Sequence, residues 1–238
     1  GDVELDLDFS FDMESSLLTV RKSQLEYNAI SAEIQGTYSH RDNRAIDLTF
    51  DASSSDVKIV ALLIKEEVIK LNPDLIKKGG IYLRGKVFGE LKTGKPQVNV
   101  SFGVQDLTLR LPSRSGEFRN LGFEGTFKSG SSADYSEAKL EIKKLRGNVP
   151  GGSLKGTFEI KNFVKPYLRY NLTLNTQLDG YDNVFHVKFL KSLKGSIALK
   201  ATFDGLLDFT DLHTMDSSRT STLTLDDVSF VMPKSNKN

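Results

Sequence analysis

The sequence predicts a mainly β protein: a long, strongly curved antiparallel sheet that forms a β-groove or half-open barrel. It is expected to contain two tandem repeats and one or two short amphipathic helices. Three observations lead to this prediction. Apolar and polar residues alternate along most of the chain, the pattern of strands with one buried face. Several segments recur in the same order in the second half. Only one segment has clear helical periodicity.

Strands account for most of the chain. Alternation begins at Val3 and continues through Phe11, and five further runs repeat it, in residues 98–104, 107–111, 138–142, 197–203 and 228–232. Apolar residues alternate up to Val104, but the next one, Leu107, comes three positions later. The phase therefore shifts by one residue at Gln105 and Asp106. Such a shift predicts a β-bulge or a turn. Clusters of Gly, Asn, Ser and Asp separate the runs and favour turns.

One segment has the periodicity of a helix. After Ser55 or Asp56 as the N-cap, apolar residues follow at spacings of three and four, at Val57, Val60, Ala61, Ile64 and Val68. This spacing predicts an amphipathic helix, which ends at Asn72-Pro73. We interpret it as a helix that caps one stretch of the groove. A second, shorter helix is predicted over residues 182–192.

The second half of the chain resembles the first. Four segments recur in the same order: residues 25–38 at 145–158, 48–50 at 172–174, 83–87 at 193–197 and 106–112 at 227–233. Chance rarely produces four matches in one order, so we divide the chain into a first β-groove repeat, 1–118, and a second, 119–238. Because alternation is already under way at Val3, we expect the chain to be a fragment of a larger protein.

A five-residue glycine motif recurs within these repeats. It consists of an apolar residue, any residue, Gly, a small or polar residue and a second apolar residue, in residues 34–38, 83–87, 123–127, 154–158 and 193–197. One interpretation is that Gly relieves crowding where a twisted strand bends. The other is that aligned glycines crease one long sheet repeatedly and curl it into a gutter.

The composition disfavours several classes of function. With no Cys, disulfides, thiolate catalysis and Cys-based metal sites are excluded. The 32 basic and 31 acidic residues are interspersed, which disfavours nucleic-acid binding. His213 lies near Asp208, Asp211 and Asp216, but their spacing does not match a known calcium loop. We therefore predict no metal, no cofactor and no catalytic residue, and a protein that is not an enzyme.

The apolar side of the strands needs something to cover it. A helix of about 16 residues covers few strands, so the sheet either closes into a barrel or sandwich or leaves a groove that acyl chains can fill. Each buried CH₂ contributes about 0.8 kcal/mol, so such a groove can hold lipid without polar recognition. The residues predicted to line it are Leu5, Leu7, Phe9, Val100, Phe102, Leu140, Leu174, Leu199 and Phe203.

Part of the second repeat resembles a known family. Residues 151–160, followed by Asn162-Phe163 and Pro166-Tyr167, are similar to a segment of AsmA-like proteins, and residues 171–195 follow the same order of strand, short helix and Leu-x-Gly strand. The family is related in architecture to TamB and to bridge-like lipid-transfer proteins. The resemblance implies a periplasmic protein of a Gram-negative cell envelope that acts in outer membrane biogenesis and lipid homeostasis. It also implies a membrane anchor in a segment absent from this chain.

The two lines of reasoning lead to one expected function and one alternative. We expect a non-enzymatic periplasmic module that binds or conducts phospholipid or another acyl-chain lipid along an apolar β-groove, with envelope proteins as further partners. The alternative is a structural or adhesion β-sandwich that binds protein or glycan through its loops. An elongated apolar groove would favour the first, and a sealed core between two sheets the second.

Overall fold

The chain folds into one antiparallel sheet. A computed structural model describes residues 3–27, 30–41, 44–55, 76–92, 94–110, 117–178, 192–207 and 217–231. The strands are β1 (Val3–Asp6), β2 (Phe9–Asp12), β3 (Leu17–Tyr27), β4 (Ile30–Ser39), β5 (Ala45–Ser54), β6 (Ile76–Glu90), β7 (Gln97–Arg110), β8 (Glu117–Lys128), β9 (Lys139–Val149), β10 (Gly152–Lys161), β11 (Tyr167–Gln177), β12 (Ser192–Leu206) and β13 (Ser217–Val231).

Each strand pairs with its neighbours in the sequence. From β3 to β13 the order in the sheet follows the order in the chain. At the first edge, β1 and β2 pair with the two ends of β3, so together they form one interrupted edge strand. In the described part of the chain β13 pairs only with β12, and the sheet stays open. The predicted mainly β class and curled, open antiparallel sheet are thereby confirmed.

The register gives the sheet one apolar and one polar face. Residues directly opposite one another in antiparallel strands lie on the same side of the sheet. One row of opposed residues, crossing the sheet from β4 to β12, is apolar throughout: Ile34, Phe50, Gly85, Val100, Phe127, Leu140, Ile160, Leu168 and Gly205. The adjacent row on the other side is polar throughout: Glu33, Asp51, Arg84, Ser101, Thr126, Glu141, Glu159, Arg169 and Asp204.

The sheet bends sharply at its centre. Asp106 in β7, Asn120 in β8 and Lys144 in β9 have positive φ angles of 50°, 51° and 53°, and the pairing register shifts beside each of them. These are β-bulges on three adjacent strands, and bulges increase local twist and bend. We call this line of bulges the crease. The predicted phase shift at Gln105 and Asp106 is therefore a β-bulge within one continuous strand.

The small buried core lies beside the crease. Val104 and Leu107, on either side of the bulge in β7, are both buried. Partly buried apolar side chains of three adjacent strands pack against them, namely Ile81, Leu109, Leu121 and Phe123. Because these residues come from strands that are all neighbours in one sheet, the sheet covers itself here by bending.

The recurring segments fall on corresponding strands. The matches place β3, β4, β5, β6 and β7 on β9, β10, β11, β12 and β13 in order, and a register shift interrupts both the β3–β4 and the β9–β10 pair. The division into repeats 1–118 and 119–238 nevertheless stays a prediction. The predicted capping helix (Val57, Val60, Ala61, Ile64 and Val68) and the shorter helix at 182–192 fall outside the described residues, apart from the strand start at Ser192.

Candidate functional site

The predicted lining residues come together on the apolar face. Leu5, Phe102 and Phe203 belong to one row of opposed residues that crosses the sheet from β1 to β12. Its other members are Leu25, Ala32, Ala52, Leu83, Gly125, Ile142, Phe158 and Tyr170. The register thus unites residues that lie far apart in the sequence into a continuous apolar stripe.

The remaining predicted lining residues lie on the same face, one or two rows from this stripe, with one exception. Phe9 is opposite Val20, Val100 is opposite Phe127, and Leu174 is opposite Leu199. Leu140 is opposite Phe127 in the row next to the stripe. Leu7 lies in the break between β1 and β2 and is exposed.

The apolar face is the inner side of the curl. Among the described residues no second layer covers it, and yet Phe203 is only 6% exposed. The ring of Tyr170 in the adjacent strand stacks on it, with ring centroids 5.8 Å apart. The contacts around two glycines show how closely side chains of adjacent strands approach on this face. A Cβ added to Gly125 would lie 2.5 Å from Cζ of Phe102, and one added to Gly85 would lie 2.8 Å from Cζ of Phe50.

These contacts bear on the recurring glycine motif. Gly85 and Gly125 lie on the apolar face under an aromatic ring from the neighbouring strand, so at both positions the absence of a side chain relieves crowding. The line of β-bulges, which bend a sheet locally, lies instead at Asp106, Asn120 and Lys144. At these two glycines the contacts therefore support the first of the two interpretations of the motif.

Aromatic rings form much of the floor of the groove. Phe102 and Phe123 make an edge-to-face contact with ring centroids 6.1 Å apart, and Tyr170 stacks on Phe203 at 5.8 Å. Such pairs contribute about 0.5–1.5 kcal/mol beyond the burial of their area. They give the groove an apolar surface up to Phe203 in β12, and the same register row continues to Arg219 in β13.

The groove is most open at its first strands. Val3, Leu5, Phe9 and Phe11, all on the apolar side of β1 and β2, are between 56% and 62% exposed. Large, adjacent, exposed apolar side chains on a folded protein usually mark a surface that contacts another molecule. This part of the face is therefore the most accessible to an apolar ligand.

Ion pairs cover the polar face. Arg84 Nε lies 2.9 Å from Asp51 Oδ2, and Lys86 Nζ lies 2.8 Å from Asp47 Oδ2, both pairs joining β5 to β6. All four side chains are more than two-fifths exposed, so each pair contributes between zero and about 1 kcal/mol. Their main effect is to make this side of the sheet compatible with water.

A small hydrogen-bonded cluster joins β11 to β12 on the same polar face. The Tyr167 hydroxyl donates to Asp204, and Arg169 Nε donates to Asp204 Oδ2 at 3.0 Å. The hydrogen bond from Tyr167 and the Arg169 guanidinium hold the pKa of Asp204 below its usual value, against partial desolvation. In turn the Asp204 carboxylate raises the pKa of Tyr167. Both residues are half-buried, and their arrangement ties two strands together.

Those residues considered for chemistry that the structure describes do not assemble into a reactive cluster. In the described ranges no three His, Asp or Glu side chains are placed to hold a metal ion. His40 Nδ1 lies 3.3 Å from the Tyr38 hydroxyl in an exposed position. His213 and its neighbours Asp208, Asp211 and Asp216 lie outside the described residues. The absence of an enzymatic activity, a cofactor and a metal stays a prediction.

Several groove residues were not among those predicted. Leu83, Ile142, Phe158 and Tyr170 lie in the stripe with Leu5 and Phe203. Each belongs to an alternating or motif segment, so the signal for its orientation was present in the sequence. Its membership of this row depends on the register between strands, which alternation within one strand does not determine.

Comparisons with known proteins do not extend this description. Within the described residues, the structure contains no helix with the length and apolarity needed to cross a membrane. Neither family models, nor curated proteins, nor solved structures give a match to the chain. The resemblance to AsmA-like proteins accordingly stays a hypothesis, and the function has to be argued from the two-faced sheet itself.

Proposed function

We propose that the chain is a non-enzymatic lipid-binding module that holds the acyl chains of phospholipids or fatty acids along the concave apolar face of the sheet. The observation that carries this proposal is the uninterrupted apolar stripe from Leu5 to Phe203, which no second layer covers in the described residues. A domain normally buries such a face against another element. Here the ligand takes the place of that element.

The dimensions of the sheet suit acyl chains. The sheet has twelve strand positions, and at about 4.8 Å between strands it extends roughly 50 Å across them. One leaflet of a bilayer has a hydrocarbon depth of only about 15 Å. The groove is therefore long enough for a chain to occupy successive positions, as required for conduction as well as for storage.

The chemistry of the stripe favours low headgroup specificity. At about 25 cal/mol per Å² of buried apolar area, a chain lying on Val, Leu, Ile and Phe side chains gains affinity in proportion to its length. Among the side chains of the stripe from Leu5 to Phe203, the only polar group is the Tyr170 hydroxyl. We therefore propose recognition of the acyl chain, with the headgroup left at the open rim of the groove.

The resemblance of residues 151–167 to AsmA-like proteins supports an envelope setting for this activity. On that hypothesis the chain is a periplasmic module of an envelope protein in a Gram-negative bacterium, and it contributes to lipid transport for outer-membrane assembly. The alternative of a β-sandwich adhesion domain required two packed sheets with a sealed core between them. The described strands form a single sheet, so no observation favours that alternative.

The proposal is tested by placing charge on the apolar face. Ile34 and Leu83 lie in adjoining rows of the apolar face and are 40% and 44% exposed, so Ile34→Glu with Leu83→Glu should leave the fold intact. The matched control is Gln35→Glu with Ser101→Glu, two exposed positions on the polar face. Binding of a fluorescent polyunsaturated fatty acid is measured by titration of each delipidated protein, and co-purified lipid is identified by native mass spectrometry.

We expect at least tenfold weaker fatty-acid binding in the apolar-face variant and unchanged binding in the control, because a carboxylate in the stripe must be desolvated by the acyl chain. Circular dichroism confirms that both variants keep their strands. Equal binding by the two variants, or a wild-type protein that neither retains nor binds lipid, would refute the proposal.

A further inference from the structure

The polar face is divided into an acidic and a basic part. In the described part of residues 3–55, nine acidic residues accompany four basic ones, whereas residues 139–207 contain ten basic and three acidic described residues. The near-neutral total of the sequence conceals this asymmetry. The question that follows is which ligand the basic part of the sheet, β9 to β12, binds.

Three cations lie on one register row of this basic part. Arg146 in β9 is directly opposite Lys155 in β10, which is opposite Thr173 in β11, which is opposite Lys200 in β12. Directly opposed residues have Cβ atoms about 5 Å apart, and like charges in that position are destabilising. Arg146 and Lys155 thus repel each other in the unliganded protein.

Among the described residues, no carboxylate forms an ion pair with these three cations. None of the ion pairs between described residues includes Arg146, Lys155 or Lys200. Asp106 and Glu124 line an adjoining depression together with Arg146, and Glu124 already contacts Lys144, with Oε2 and Nζ 2.9 Å apart. Elsewhere on the same face most cations do have a partner, such as Arg169 with Asp204 and Lys139 with Glu159.

The same residues line one depression in the polar face. Its wall contains four cationic side chains, three neutral hydrogen-bonding side chains and no carboxylate; they are Lys144, Arg146, Lys155, Lys200, Thr157, Asn171 and Thr173. The bulge at Lys144, opposite Thr157, shapes it by interrupting the regular pairing of β9 and β10. Convergent cations with hydroxyl and amide donors are the groups that bind phosphate oxygens.

We infer that this depression is a binding site for a phosphate group, either free or in the headgroup of an anionic lipid. A phosphate placed between Arg146, Lys155 and Lys200 supplies the negative charge that the row lacks, and Thr173 and Asn171 provide further hydrogen bonds. No aromatic side chain lines the depression, so stacking of nucleic-acid bases has no platform there. The site is on the opposite face from the lipid groove, and this inference does not depend on the groove's proposed function.

The inference is tested with the full chain and two triple variants. The site variant combines Arg146→Gln, Lys155→Gln and Lys200→Gln. The control combines Lys92→Gln, Lys128→Gln and Lys165→Gln, three exposed lysines outside the depression, so that both variants lose the same charge. Thermal unfolding is followed with increasing inorganic phosphate. Co-sedimentation is measured with vesicles of phosphatidylcholine alone and of phosphatidylcholine mixed with phosphatidylglycerol, at low and at physiological salt.

We expect the wild type and the control to bind the anionic vesicles at low salt and the site variant to bind them about a hundredfold more weakly, because each cation near an anionic surface strengthens binding about fivefold. Stabilisation by inorganic phosphate in the wild type, lost in the site variant, identifies free phosphate as a ligand. Vesicle binding without phosphate stabilisation identifies the lipid headgroup. An equal loss in both variants, or binding of neither probe by the wild type, would overturn the inference.

Discussion

The crease and the first edge of the sheet follow the same sequence pattern but bury it very differently. Val104 and Leu107 at the crease are 8% and 9% exposed, whereas Leu5 and Phe9 at the edge are 56% and 62% exposed. All four lie on the apolar face. Hydrophobicity determines which side of the sheet a residue occupies, and local geometry determines how far it is removed from water.

Two geometric differences account for this contrast. β7 has a strand on each side and contains the bulge at Asp106, beside a second bulge at Asn120 in β8. The strands around it therefore bend over Leu107. β1 and β2 pair only with β3 among the described strands, so Leu5 and Phe9 have apolar neighbours on one side. The bend stabilises the centre of the sheet, and the edge is left accessible to a ligand.

The largest effect expected from this contrast comes from removing a leucine side chain in each region. Leu107→Ala should lower the free energy of unfolding by about 2–5 kcal/mol, because it leaves a cavity in the buried cluster. Leu5→Ala should change it by no more than about 0.5 kcal/mol, since most of the side chain is already in water. Urea unfolding followed by circular dichroism measures both. Similar losses in the two variants would contradict the account of the crease.

A smaller loss of stability is expected when a methyl group is added at Gly125, in the space that the Phe102 ring occupies. In Gly125→Ala the new Cβ meets the ring of Phe102, with 2.5 Å to its Cζ, and overpacking of this kind costs about 1–3 kcal/mol. The control is Gly94→Ala, where a Cβ would have no heavy atom within 4 Å and should change the stability by no more than about 0.5 kcal/mol.

Adding Phe102→Leu to Gly125→Ala measures how much of the stability lost in Gly125→Ala is caused by the Phe102 ring. If the ring and the new methyl group compete for one space, the double variant will be more stable than the sum of the two single changes predicts. If the costs of Gly125→Ala and Phe102→Leu are simply additive, crowding by Phe102 is not the reason for glycine at this position.

Alternation within a strand indicates the two faces and marks bulges by shifts of phase, but it does not indicate how strands pair. Alternation is a property of one strand, and the register between strands places Val100, Phe102 and Phe203 on one face. The bulge at Asp106 was visible because it shifts the phase of an apolar run. The same three-residue spacing marks the bulges at Asn120 and Lys144, from Phe118 to Leu121 and from Ile142 to Leu145, but neither was among the predicted shifts.

The break at Leu7 illustrates the same limit at the edge. Alternation continues from Val3 to Phe11, which predicts one strand, but the structure interrupts it at Leu7 and Asp8. The Asp8 N–H donates to Ser23 Oγ at 3.0 Å instead of continuing the ladder, next to the register shift in β3. A contact between residues fifteen positions apart determines the break, and alternation within either strand does not reveal it.

The smallest expected effect concerns the polar face, where exposed ion pairs occur both at the edge, between Arg21 and Asp8, and in β11–β12, between Arg169 and Asp204. The Tyr167 hydrogen bond and Arg169 lower the pKa of Asp204 in the folded protein. Its contribution to stability is therefore fully present above the unfolded value of about 3.9 and is lost as the pH falls through the lower folded value. Because the carboxylate is exposed, the loss should be small.

Tyr167→Phe tests this account, because it removes the hydroxyl and leaves Arg169 in place. The pKa of Asp204, followed by NMR titration of its carboxyl carbon, should rise toward the usual value, and the variant should lose less stability on acidification than the wild type. Tyr170→Phe, which removes a hydroxyl from the apolar face of the same strand, is the matched control and should leave that pKa unchanged. An Asp204 pKa that is the same in Tyr167→Phe and the wild type would show that Arg169 alone sets it, and that the hydroxyl of Tyr167 does not couple β11 to β12.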